Sequence, residues 1–157
     1  MARRIVTSIV FLVVLIAGSM VNAQVGVELN GVEVSFPDQQ PMIIAGRTLV
    51  PVRFVSEALG AAVIWYEQTS SVTVELADKV IVLSLGSRMV SVNNAHLLLD
   101  VPAQAVGGRT MVPLRFVSEM LGARVQWDES RNTVVILSVP TEVGNSGNIA
   151  DADDTLD

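Results

Sequence analysis

The sequence predicts an α+β fold: a duplicated unit of antiparallel β-hairpins, with one short helix per copy packed on the sheet. Three observations predict it. A sixteen-residue segment starting at Gly46 recurs from Gly108, a spacing of 62 residues. In both copies a proline opens, and a glycine closes, a stretch with helical apolar spacing. Elsewhere the chain is a series of short β-prone runs divided by turn residues.

Taken in order, residues 25–29 and 32–36 flank Asn30-Gly31, a two-residue hairpin signal. Residues 48–50 form a short strand ending at Pro51. Its fixed φ and missing donor suit the first turn of a helix. Phe54, Val55, Ala58 and Leu59 then share one face over about two turns, and Gly60 stands where a left-handed cap closes the helix. So short a helix is unstable alone in water and must lie on a sheet. That sheet is supplied by residues 63–66 and 71–76, on either side of a polar turn.

The second copy follows the same order. Residues 79–85 and 89–92 flank Gly86-Ser87, and Asn93-Asn94 matches Asn30-Gly31 one residue out of the 62 spacing. A strand at 95–99 carries His96. Residues 110–112, Pro113, the apolar face Phe116, Val117, Met120 and Leu121, and Gly122 repeat the strand, helix and cap. Residues 125–127 and 133–137 close the copy. With the copies at about 25–76 and 79–139, each is marginal for independent folding, which predicts one domain over 24–140 with a shared core.

The two ends read differently. Arg3 and Arg4, an apolar run over 5–17 and Val21-Asn22-Ala23 form a signal-peptide pattern over residues 1–23, with cleavage before Gln24. The run is short for a spanning helix, so the expectation is no stable membrane insertion after cleavage. Residues 141–157 form an acidic tail with Glu142, Asp151, Asp153, Asp154 and Asp157. Its few apolar residues predict disorder. The predicted setting is secreted, extracellular or at the cell envelope.

A formal net charge of −6 disfavours a nucleic-acid partner, which needs a basic patch. The chain has no cysteine, which excludes a disulfide framework, a cysteine nucleophile and a thiolate metal site.

With the repeated Gly-Arg-Thr-(Leu/Met)-Val-Pro-(Val/Leu)-Arg-Phe-Val-Ser-Glu-x-Leu-Gly-Ala and the tryptophan after it, the sequence resembles the copper amine oxidase N-terminal-like, or stalk, domain of exported bacterial proteins. The resemblance runs from about Val25 to Val139. It implies a small α+β fold and a surface setting, and it does not imply oxidase activity, since the domain is an accessory stalk. The family's catalytic domain uses three histidine copper ligands and a tyrosine-derived quinone. This chain has only His96 and Tyr66.

The repeat signature comprises Gly46, Arg47, Pro51, Arg53, Glu57 and Gly60, and then Gly108, Arg109, Pro113, Arg115, Glu119 and Gly122. Arg53 with Glu57, and Arg115 with Glu119, are i, i+4 pairs of a kind worth a few tenths of a kcal/mol. Two alternatives stand beside local pairing: each arginine forks onto a carboxylate or carbonyls of the other copy, or the pair grips an anionic polymer. Arg47 and Arg109 match Asp38 and Asp100 as structural ion pairs. Trp65 and Trp127 read first as core and second as saccharide platforms. His96 lacks the companions a zinc site or a triad requires. No cofactor is expected, and no catalytic residue.

The expected function is a non-catalytic structural or docking module at the cell envelope, whose partner is a wall polymer or envelope protein. The alternative is a protein that holds a saccharide, peptide or wall polymer between the copies. Burial of both tryptophans favours the first. A cleft lined by tryptophan and arginine favours the second.

Overall fold

The computed structural model describes residues 24–139. The signal peptide expected at 1–23 and the acidic tail expected at 141–157 lie outside the described residues. Copy one forms β1 (Gly26–Leu29), β2 (Val32–Glu33), β3 (Met42–Ile44), β4 (Arg47–Pro51), α1 (Val52–Ala58), β5 (Ala62–Tyr66) and β6 (Ser71–Leu76). The chain continues through β7 (Lys79–Ser84), β8 (Met89–Val92), β9 (Ala95–Leu98), β10 (Gln104–Val106), β11 (Arg109–Pro113), α2 (Leu114–Met120), β12 (Ala123–Asp128) and β13 (Thr133–Ser138). Strands with two helices make this an α+β structure.

Turn chemistry accounts for many of these boundaries. Asn30 and Gly31 have φ of 51° and 81°, and Asn93 and Asn94 have 47° and 67°. Two successive positive φ values are what a type I′ hairpin turn needs, and asparagine and glycine tolerate them best. Both helices stop at Gly60 and Gly122, each at φ 87°, where a side chain would strain the backbone. The prolines sit one step earlier than expected. Pro51 and Pro113 end their strands and serve as N-caps, with ψ of 117° and 116°. Their missing N–H therefore falls at the corner where strand becomes helix.

Three sheets result, in the orders β12-β13-β1-β2, β10-β11-β4-β3 and β5-β6-β7-β8-β9. The architecture departs from the expected all-antiparallel hairpins in one place. β1 runs parallel to β13, pairing Gly26 with Thr133 through Leu29 with Ile136. A parallel pair cannot be a hairpin, so it joins distant segments. β3 and β10 are additional to the expected strands. Each pairs with the strand that follows it, across the turns Ala45-Gly46 and Gly107-Gly108. In the opposite sense, the run expected at 32–36 keeps only β2.

Every sheet mixes the copies. In the central sheet, β4 and β11 pair antiparallel with Val50 opposite Val112, Leu49 opposite Pro113, and Pro51 opposite Met111. Val112 is the repeat counterpart of Val50, Pro113 of Pro51 and Met111 of Leu49. A segment that pairs with its own repeat in this register lies on a local two-fold axis. The outer sheets follow from that axis, except that β7 lies between β6 and β8 where β13 and β1 touch directly.

The core is mixed in the same way. One cluster joins Val52, Val72 and Val74 with Val90, Leu99, Val112 and Val117. A second joins Val27, Phe36, Val50 and Val55 with Leu114, Val134 and Ile136. Each fully buried aliphatic side chain contributes roughly 1.5–3 kcal/mol. The helix faces differ in detail from the expected stripe. Val52, Val55 and Ser56 are the buried residues of α1, and Leu114, Val117 and Ser118 those of α2. The Oγ atoms of Ser56 and Ser118 are buried without a hydrogen-bond partner.

Candidate functional site

The repeated charged residues separate into pairs and exceptions. Arg47 meets Asp100 at 2.6 Å, and Arg109 meets Asp38. Each pair joins one copy to the other. Arg53 reaches Glu57 at 3.1 Å along α1. The expected counterpart, Arg115 with Glu119, does not form. Among the described residues no ion pair or hydrogen bond engages the exposed Arg115 side chain. A further bridge was not anticipated: Arg131 holds Glu28 of β1 at 2.6 Å and Asp128 of β12 at 2.7 Å. Asp128 is a local partner three residues away, and the parallel β1–β13 pairing brings Glu28 to the same guanidinium.

The tryptophans correct the first sequence expectation. Trp65 and Trp127 are 41% and 44% exposed, not core. A seven-residue helix is only about 10 Å long. Val63 packs on the core, and Trp65, next along the same face of β5, lies beyond that cover. Both rings stand on strands at the edge of their sheets.

Only one of them borders a cavity between the copies. This groove has a volume of about 620 Å³. Ile43, Gly46, Arg47 and Thr48 of copy one form one wall. The other walls are Leu98, Leu99 and Asp100 at the end of β9, the first turns of α2 with Arg115, Phe116 and Glu119, and Gln126 and Trp127 of β12. Ile43 and Leu98 are 60% and 72% exposed at its rim. An aromatic face, a phenylalanine and two guanidinium groups thus share one open space. Trp65 and Arg53 do not line it. Such a surface suits binding by stacking and charge-assisted hydrogen bonds.

Copy one treats the corresponding residues differently. The Phe36 ring meets Phe54 edge-on, with centroids 6.0 Å apart. The Arg109 guanidinium lies 5.6 Å from the centre of the Phe54 ring. These contacts are internal packing.

His96 sits on β9 opposite Ser91, exposed at a sheet edge. Among the described residues, no three histidine, aspartate or glutamate side chains cluster as a metal site would need. Likewise no described helix is long and apolar enough to cross a membrane.

Comparison with curated proteins finds no match. The family profile of the copper amine oxidase N-terminal domain matches residues 28–136. That span takes in both copies of the repeat, both helices and the groove between them. The chain belongs to the copper amine oxidase N-terminal domain family, a non-catalytic domain.

Proposed function

We propose that this protein is an exported, non-catalytic interaction module of the cell envelope, and that the groove between its copies is the binding surface. One observation carries the reading: Arg47, Arg115, Phe116 and Trp127 converge on a cavity of about 620 Å³ that opens to solvent. A pure spacer has no need to leave an arginine unpaired and two aromatic side chains at a hollow. Residues 1–23 act as the export signal, and the mature chain folds as one duplicated domain over 24–140. With a single histidine and a single tyrosine the chain cannot assemble the three-histidine, quinone centre of a copper amine oxidase, and its matched family domain is non-catalytic. The pair Arg53 and Glu57 within copy one, and the pair Arg109 and Asp38 between the copies, serve the scaffold.

The test is retention of residues 24–157 by purified cell wall and by immobilised culture-supernatant proteins, compared with a Trp127→Ala, Arg115→Glu double variant of unchanged circular dichroism. Retention lost in the variant supports the reading. Equal retention of both proteins would place binding outside the groove and overturn the reading of this surface, and retention of neither leaves the module a spacer.

A further inference from the structure

We infer that the groove takes an extended peptide, with an aromatic side chain entering beside Phe116 and a carboxylate reaching Arg115. This rests on the proposed binding role of the groove. The protein supplies the template, because the two halves of its fold solve the same packing problem differently.

Around the hairpin the copies match at a spacing of 63. Asn30-Gly31 aligns with Asn93-Asn94, both pairs at positive φ. Val27 aligns with Val90, each 1% exposed, and Phe36 with Leu99, at 6% and 2%. The spacing returns to 62 at Asp38 and Asp100, which hold Arg109 and Arg47. Copy two therefore lacks one residue between the buried apolar anchor and the aspartate. It also carries leucine where copy one has a phenylalanine.

The consequence falls beside α2. Phe54 has the Phe36 ring against it and the Arg109 cation over it. Among the described residues, Phe116 has neither a ring partner nor a cation on its face. Leu99 and Phe116 line the groove instead. Leu99 holds the place of Phe36 with a smaller side chain, and a ring entering the groove beside it would meet Phe116 as an aromatic partner.

Charge and backbone specify the rest. Arg53 is tied to Glu57, whereas Arg115 presents free donors in a fork suited to a carboxylate. Ile43 and Leu98 stand on β3 and β9, each the outermost strand of its sheet. Their unpaired backbone edges offer hydrogen bonds to an added strand, which a peptide can form along its length. In the template, Phe36-Pro37-Asp38, the carboxylate two residues after the ring goes to Arg109, whose counterpart Arg47 is already held by Asp100, so an entering carboxylate is left to Arg115. A second copy of the chain cannot donate this segment, since its Phe36 is already buried.

The probe is the acetylated, amidated peptide of residues 34–39, Val-Ser-Phe-Pro-Asp-Gln. It is titrated into ¹⁵N-labelled residues 24–157 while the two tryptophan indole N–H resonances are followed. The expected result is a saturable shift of Trp127 with Trp65 unmoved. Replacing the peptide's phenylalanine with alanine weakens binding about tenfold. Leu99→Phe in the protein, which fills the space with copy one's ring, abolishes the shift. Should that variant misfold, Arg115→Ala keeps the question open to refutation, with binding expected to weaken about fivefold. Equal movement of both indoles, no movement, or equal affinity of the alanine peptide overturns the inference. If the peptide fails while wall retention still depends on Trp127 and Arg115, the groove binds something other than a peptide. The proposed function then survives and this inference does not.

Discussion

At the scale of single residues, Ser56 and Ser118 are the least expected feature. Each sits in a helix centre, fully buried, with its hydroxyl unpartnered. An unsatisfied buried hydroxyl costs about 1–3 kcal/mol. Ser56→Ala and Ser118→Ala should therefore each raise stability by about 1 kcal/mol in urea unfolding. A loss of similar size would show that the hydroxyls are hydrogen-bonded in solution. Asp128 makes a separate prediction. The Ser130 hydroxyl first, and then Arg131, hold its carboxyl down at about 2. Folding thus favours the ionised form. The stabilisation is complete above the unfolded value of about 4 and disappears as pH falls through about 2. Asp128→Asn should melt below the parent protein at pH 6, and the difference should vanish near pH 2.

At the scale of elements, the sequence was most legible where backbone chemistry is local. The hairpin at Asn30-Gly31 and the caps at Gly60 and Gly122 all appear with the expected positive φ. A cap is a demand of its own few residues, so no distant partner is needed to read it. A β-carbon at Gly60 meets nothing closer than Leu76 Cδ1 at 3.9 Å. The cost of substitution there is backbone strain alone. Gly60→Val should lose about 1–3 kcal/mol, and an unchanged melting temperature would contradict the cap. Strands were less legible. β3 and β10 are three residues each, too short for an alternating pattern to register. The exposure of Trp65 and Trp127 was missed for a related reason. Apolar character shows that a side chain prefers cover, and only the length of the neighbouring helix decides whether cover reaches it.

At the scale of the whole molecule, the copies are interleaved. β1 of copy one completes the sheet of β12 and β13, while β8 and β9 of copy two join the sheet of β5 and β6 through β7. Neither copy contains a closed core, as the two clusters draw on both. Residues 24–77 and 78–139 expressed separately should each lack a cooperative thermal transition. Mixed, they should recover one, because the break falls in the exposed turn at Ala77 and Asp78. A cooperative melt from either half alone would refute the shared core. The ion pairs Arg47–Asp100 and Arg109–Asp38 also cross between copies. They are exposed and contribute at most about 1 kcal/mol each.

What the amino-acid order determined alone was the repeat, its turns, its caps and the α+β class. These depend on residues within a few positions of one another. What tertiary structure decided was the parallel β1–β13 pair, the local two-fold at Val50 and Val112, and the inequality of two nearly identical halves. A single missing residue before Asp100 and a leucine at position 99 look minor in the sequence. Only the folded chain brings Ile43, Leu99, Arg115 and Trp127 around one groove.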